Sequence, residues 1–140
     1  MTVRVERRFS VEAPPEAVWA FLEDPANRAR AIDLVDRFKI EGETTVWHLD
    51  LPLPGVGKLL TVETRTVDRR PPTFVSFEGR SPVFDVTGHH RIEQTGTGTA
   101  VDTQFEVTGR VPGAERFFKR QFPAEIDNLE TELWEALERR

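Results

Sequence analysis

The last third of the chain places the strongest limit on what it can fold into. After the turn signal "VPGAE", Phe118, Phe122, Ile126, Leu129, Leu133 and Leu137 recur at helical spacing, with mostly acidic residues opposite. A helix of about 25 residues is roughly 40 Å long, and its apolar stripe must lie on something of similar length. Pro123 falls inside this pattern and lacks the donor for the preceding turn. It is therefore expected either to kink the helix or start a second segment, or to sit in the first turn of the main helix after a loose "RFFKRQF" lead-in.

The rest of the chain offers one partner of that size. Residues 3 to 11 set Val3, Val5, Arg7, Phe9 and Val11 against Arg4, Glu6, Arg8 and Ser10, the period-2 pattern of a half-buried strand in which only Arg7 breaks the apolar face. "APPEAVWAFLEDP" then changes period, with Val18, Phe21 and Leu22 at helical spacing, proline opening the segment and Pro25 closing it. A second short helix is expected over about residues 26 to 32. From residue 35 to 109 the turn signals "EGE", "PLPGVG", "DRRPPT", "GRSP" and "TGTG" come at near-regular intervals and imply a meander of six strands. The expectation is an α+β fold of order β-α-α-β6-α. A seven-stranded curved antiparallel sheet wraps one long C-terminal helix in a single domain over residues 1–140.

Composition narrows the function classes. With 24 acidic and 19 basic side chains the net charge is -5, which works against nucleic acid and anionic lipid surfaces as partners. The absence of cysteine removes thiolate nucleophiles and zinc ribbons. The start "MTVRVERRF" has no apolar signal region and no stretch reaches about 18 apolar residues, so no stable membrane insertion is expected and a cytoplasmic protein is the default.

Strand alternation sorts the candidate site residues. In "VTGHHRIEQ" the apolar set Phe84, Val86 and Ile92 turns Gly88 and His90 inward and His89 outward. Around Trp47, Leu49, Leu51 and Leu53 the same logic turns His48 and Asp50 outward. Three histidines on different faces make a poor metal site, and neither metal nor cofactor is called for. The remaining strands direct Leu60, Val62, Thr64, Thr66, Val75, Phe77, Val101, Thr103, Phe105 and Val107 inward. The interior is thus aliphatic and phenylalanine-rich, with Arg7 and His90 as its notable polar members. Buried arginine is costly unless paired, so Arg7 should meet a carboxylate, fix an anionic ligand, or snorkel to the sheet edge.

Loop parity adds a second feature. The "PLPGVGK" loop, the "GRSP" loop and the "GRVPGAERFFKR" junction fall at one end of the meander and gather Lys58, Arg80, Arg110 and Lys119 there, beside Phe117, Phe118 and Phe122. Such a basic rim at a cavity mouth would suit an anionic head on an apolar body.

"APPEAVW" followed by "FLEDP", the punctuated meander with "GTA" before its last strand, and the amphipathic C-terminal helix together resemble the SRPBCC superfamily, the START, birch-pollen-allergen and polyketide-cyclase group. That resemblance covers essentially the whole chain and implies a helix-grip fold whose sheet and long helix enclose a cavity for a small apolar or amphipathic molecule. The first reading is a binding module for a hydrophobic or amphipathic ligand, lipid-like and in one form anionic. Its candidate contacts are Arg7, Trp47, Leu49, Val62, Phe77, Phe84, His90, Phe105, Phe118 and Phe122. A second is a cyclase or dehydratase-like enzyme with His90 as acid-base and Arg7 or a threonine stabilising an enolate. A third is an accessory subunit of a larger enzyme, a role some members of this fold fill. A monomer or weak dimer is expected, with Trp134 available to an oligomer contact.

Overall fold

The computed structural model describes residues 2–32, 34–50 and 60–138. Strand β1 (Thr2–Val11) is followed by α1 (Pro15–Leu22) and α2 (Pro25–Ala31), then by β2 (Val35–Glu41), β3 (Thr44–Leu49), β4 (Leu60–Arg70), β5 (Phe74–Arg80), β6 (Phe84–Gln94) and β7 (Thr99–Gly109), and finally by α3 (Ala114–Glu138). The seven strands form one antiparallel sheet in the order β1-β7-β6-β5-β4-β3-β2. The meander is broken only where the first strand closes beside the last. This is the helix-grip architecture that the patterns imply.

Local chemistry explains the joints. Glu23 caps the end of α1 and Asp24 opens α2: the Asp24 carboxylate accepts from the Ala26 amide at 2.9 Å, and Pro25 at the first helical position gives up no needed donor. The tight β2–β3 turn uses Gly42 at φ +64°, the left-handed region that glycine enters without a Cβ clash. Helix α3 continues through Pro123 as one element, so neither a second segment nor a loose lead-in forms.

The inner face of the sheet carries two hydrophobic clusters. One joins Phe9, Val18, Trp19, Leu22, Ile92, Leu129 and Leu133, locking α1 and the C-terminal half of α3 over the β1–β7–β6 side. The other joins Trp47, Leu60, Val62, Phe84, Ala114 and Phe118, anchoring the N-terminal part of α3. Between them the sheet and α3 do not close fully, and the gap is where the polar interior residues gather.

Candidate functional site: an apolar cavity with a buried arginine and histidine

The cavity offers about 90 Å³ to the centre of a water molecule. Trp47, Leu49, Val62, Thr64, Phe77, Phe84, Val86, His90 and Phe105 come from the sheet. Phe122, Glu125, Ile126 and Leu129 come from α3, Arg28 and Ile32 from α2 and its end, and Leu34 and Val35 from the start of β2.

One row of the sheet builds the aromatic part of this wall. Phe77 on β5, Gly88 on β6 and Phe105 on β7 stand side by side in register. Because Gly88 has no side chain, the two phenylalanine rings lean over β6 until their centroids are 5.6 Å apart. A Cβ at Gly88 would lie 2.5 Å from Cζ of Phe77 and 3.1 Å from Cδ1 of Phe105. Phe105 extends the aromatic surface to Phe122, with centroids 5.3 Å apart.

His90 sits two residues along the same strand and is wholly buried. Its cross-strand neighbour is Thr103, whose Oγ1 lies 2.9 Å from Nδ1. Nε2 has no partner among the described residues. Burial, then the positive charge of Arg28, then His89, push the imidazole pKa down to about 3. At neutral pH His90 is therefore an uncharged ring with one unused hydrogen-bonding nitrogen.

Arg28 is the second buried polar group, only 8% exposed. Its guanidinium carbon lies 5.1 Å from the Phe77 ring centroid, a cation–π contact, yet Nε and Nη1 are buried without a hydrogen-bond partner. Burial lowers its pKa to about 10, with Asp24, Arg69 and Glu23 the charges near enough to modify the effect, so it stays cationic at neutral pH. Glu125, 2% exposed on α3, accepts from the Gln121 side chain at 3.2 Å.

Of the residues expected at the site, Trp47, Leu49, Val62, Phe77, Phe84, His90, Phe105 and Phe122 do line the cavity. Arg7 does not. It lies on the sheet-edge strand β1, and its exposed side chain reaches outward, Nε standing 3.7 Å from Asp127 on α3. A long stem that can carry its charge to water has no need to remain inside. Phe118 is fully buried but stands behind the wall, its ring 4.4 Å from that of Phe84 and 4.6 Å from that of Phe122.

Among the described residues, the cations expected at a basic rim do not gather at the cavity. Arg110 is neutralised by Asp85 at 2.8 Å, and Arg80 borders an outer groove with Thr61, Glu63 and Arg65 rather than the cavity. Lys119 is exposed on α3, and Lys58, like Leu51 and Leu53, lies outside the described residues. Among the described residues no cluster of histidine and carboxylate side chains could hold a metal, and no helix is long and apolar enough to cross a membrane.

Residues 2–133 match the profile of the family described as polyketide cyclase/dehydrase and lipid transport. The chain belongs to that family. Among solved structures, a START superfamily protein from Mycobacterium smegmatis superposes with a TM-score of 0.77 at 12% identity, covering 97% of both chains. A conserved protein from Geobacillus kaustophilus gives 0.75 at 14% identity, over 98% of this chain and 96% of its own. The Zhui aromatase/cyclase from Streptomyces sp. R1128 gives 0.74 at 19% identity, over 95% of this chain and 94% of its own. At these identities the likeness is one of fold. No curated protein matches the sequence. This member of the polyketide cyclase/dehydrase and lipid transport family thus shares the fold of a START superfamily protein, and its own cavity residues must say what fits.

Proposed function

We propose that the protein binds a small amphipathic molecule in the cavity between sheet and α3, holding it without reacting with it. The observation that carries this reading is the lining: a mostly apolar wall of aliphatic and aromatic side chains, interrupted by two buried polar side chains with hydrogen-bonding nitrogens unused among the described residues. Such a wall stabilises an apolar body by removing it from water, and a few convergent polar groups set its orientation. The cavity volume favours a compact body over a long acyl chain.

Acid-base chemistry at His90 is disfavoured by its surroundings. A general base at neutral pH works best with a pKa near the working pH, whereas His90 is held far below it and its hydrogen bond runs to a threonine hydroxyl. Nothing in its immediate contacts would raise its basicity.

The test is direct occupancy. Native mass spectrometry of the protein purified under mild conditions is expected to show a co-purified small molecule. Titration with benzyl alcohol, followed by amide chemical shifts, is expected to move Gly88, His90 and Phe105. Shifts confined to the outer face of the sheet, with no retained molecule, would remove the reading.

A further inference from the structure

We infer that the cavity selects a monoanionic head group, a carboxylate on a compact ring or branched body, and that Arg28 is the residue that recognises it. The inference rests on the cavity-binding reading above and adds the chemistry of the ligand.

Two of the three guanidinium nitrogens of Arg28 are buried without a partner among the described residues, whereas the exposed Arg4, Arg8 and Arg65 each meet a carboxylate. A buried cation left without hydrogen bonds is retained only at a cost in stability. The group lines the cavity, so whatever occupies the cavity is what can satisfy it. Carboxylates match a guanidinium in charge and in planar geometry, and such charge-assisted bonds strengthen where water is excluded.

Charge balance then chooses between anions. His90 on the same wall is neutral, so the described cavity lining offers one cation, while Glu125 on the facing helix adds a carboxyl group held by Gln121. With no second cation in the described lining, a singly charged head is the most that Arg28 can meet. A phosphate dianion would leave one negative charge unmatched in an apolar enclosure.

Geometry sets the shape of the rest. Arg28 and His90 both flank the Phe77 ring, one at 5.1 Å and the other at 5.9 Å from its centroid. A flat body lying along Phe77 and Phe105 would keep its head at Arg28 and bring its edge toward the unused Nε2 of His90. The available volume corresponds to roughly the size of a substituted benzene.

The test compares benzoate, its neutral isostere benzamide, and phenyl phosphate, with benzyl alcohol as the neutral probe of the cavity, at fixed ionic strength. Benzoate is expected to bind the wild-type protein about tenfold or more tightly than benzamide, with phenyl phosphate weaker than benzoate. In Arg28→Met the acid-over-amide ratio is expected to fall to about one or below, with benzyl alcohol measured in the same variant to register any change in the cavity itself. Arg28→Lys, which keeps the charge but loses the fork, is expected to keep a reduced preference.

Equal binding of benzoate and benzamide by the wild type, or a preference that survives Arg28→Met, overturns the inference. If benzyl alcohol binds in the cavity and no acid does, the carboxylate assignment falls while cavity binding stands. If no probe enters the cavity, both fall. Thermal denaturation of each variant guards against misfolding, since Arg28→Met is expected to melt no lower than the wild type.

Discussion

The two faces of the sheet treat charge in opposite ways. On the outer face, cations sit opposite carboxylates in register: Arg4 with Glu106 at 2.8 Å, Arg8 with Asp102 at 2.6 Å, Arg65 with Glu78 at 2.7 Å. These are cross-strand neighbours, exposed to water, and each is worth little because solvent screens it. Against the inner face, Arg28 of α2 and the uncharged His90 of β6 are buried where an unmet hydrogen bond is expensive, and there Nε and Nη1 of the one and Nε2 of the other lack a partner among the described residues. The contrast teaches that charge on this molecule is cheaply satisfied where it matters least and left unsatisfied where it costs most. That is the pattern expected of a site whose partner comes from outside the chain.

The largest effect that can test this contrast is pH-dependent. The folded pKa of His90 lies near 3, below its unfolded value near 6.5, so the unfolded chain binds more protons in that window. Its contribution to stability is intact above about pH 6.5 and is lost as pH falls toward 3, amounting to about 3 kcal/mol by pH 4. Urea denaturation of wild type and His90→Gln at pH 7 and pH 4 is expected to show the wild type losing that much more than the variant. Equal losses would mean that His90 is not desolvated.

Arg28 gives the next effect, of opposite sign. Its folded pKa is depressed from 12.5 to about 10, so burial penalises the charged form at every pH below that value. Arg28→Met removes the penalty together with the cation–π contact, and is expected to stabilise the unliganded protein by about 1–3 kcal/mol at pH 7, read from the denaturation midpoint. A loss of stability would show that Arg28 is a structural residue and would break the contrast.

Gly88→Ala probes the wall itself. The new methyl meets the tip of the Phe77 ring, which also carries the Arg28 contact, and the near edge of Phe105. An overpacking cost of about 1–2 kcal/mol is expected, with weaker binding of benzyl alcohol by calorimetry. The smallest effect belongs to the outer face: Arg8→Ala is expected to leave the melting temperature and ligand binding unchanged, despite its 2.6 Å contact.

Much of this site was legible in the strands. Alternation in "VTGHHRIEQ" separates His90 from His89 without any structure, and the burial of Phe84, Val86, Gly88, His90 and Ile92 follows that period without a slip. The helices hid the rest. Arg28 belongs to the seven-residue α2, where a charged side chain reads as solvated, although Ile32, four residues on, shares its face and lines the same cavity. Glu125 was masked by the acidic face of α3, yet it falls three residues after Phe122 and one before Ile126, within the apolar stripe.

Element order, strand faces and the inward imidazole follow from local periodicity, because a side chain's direction relative to its own backbone is set by the chain's immediate geometry. Which charged groups become buried is a different kind of fact. Arg7 escaped to Asp127 because its strand ends the sheet, and Arg28 was enclosed because α2 is pinned between the sheet and α3. Desolvation depends on everything that surrounds a group, and only the assembled fold brings those surroundings together.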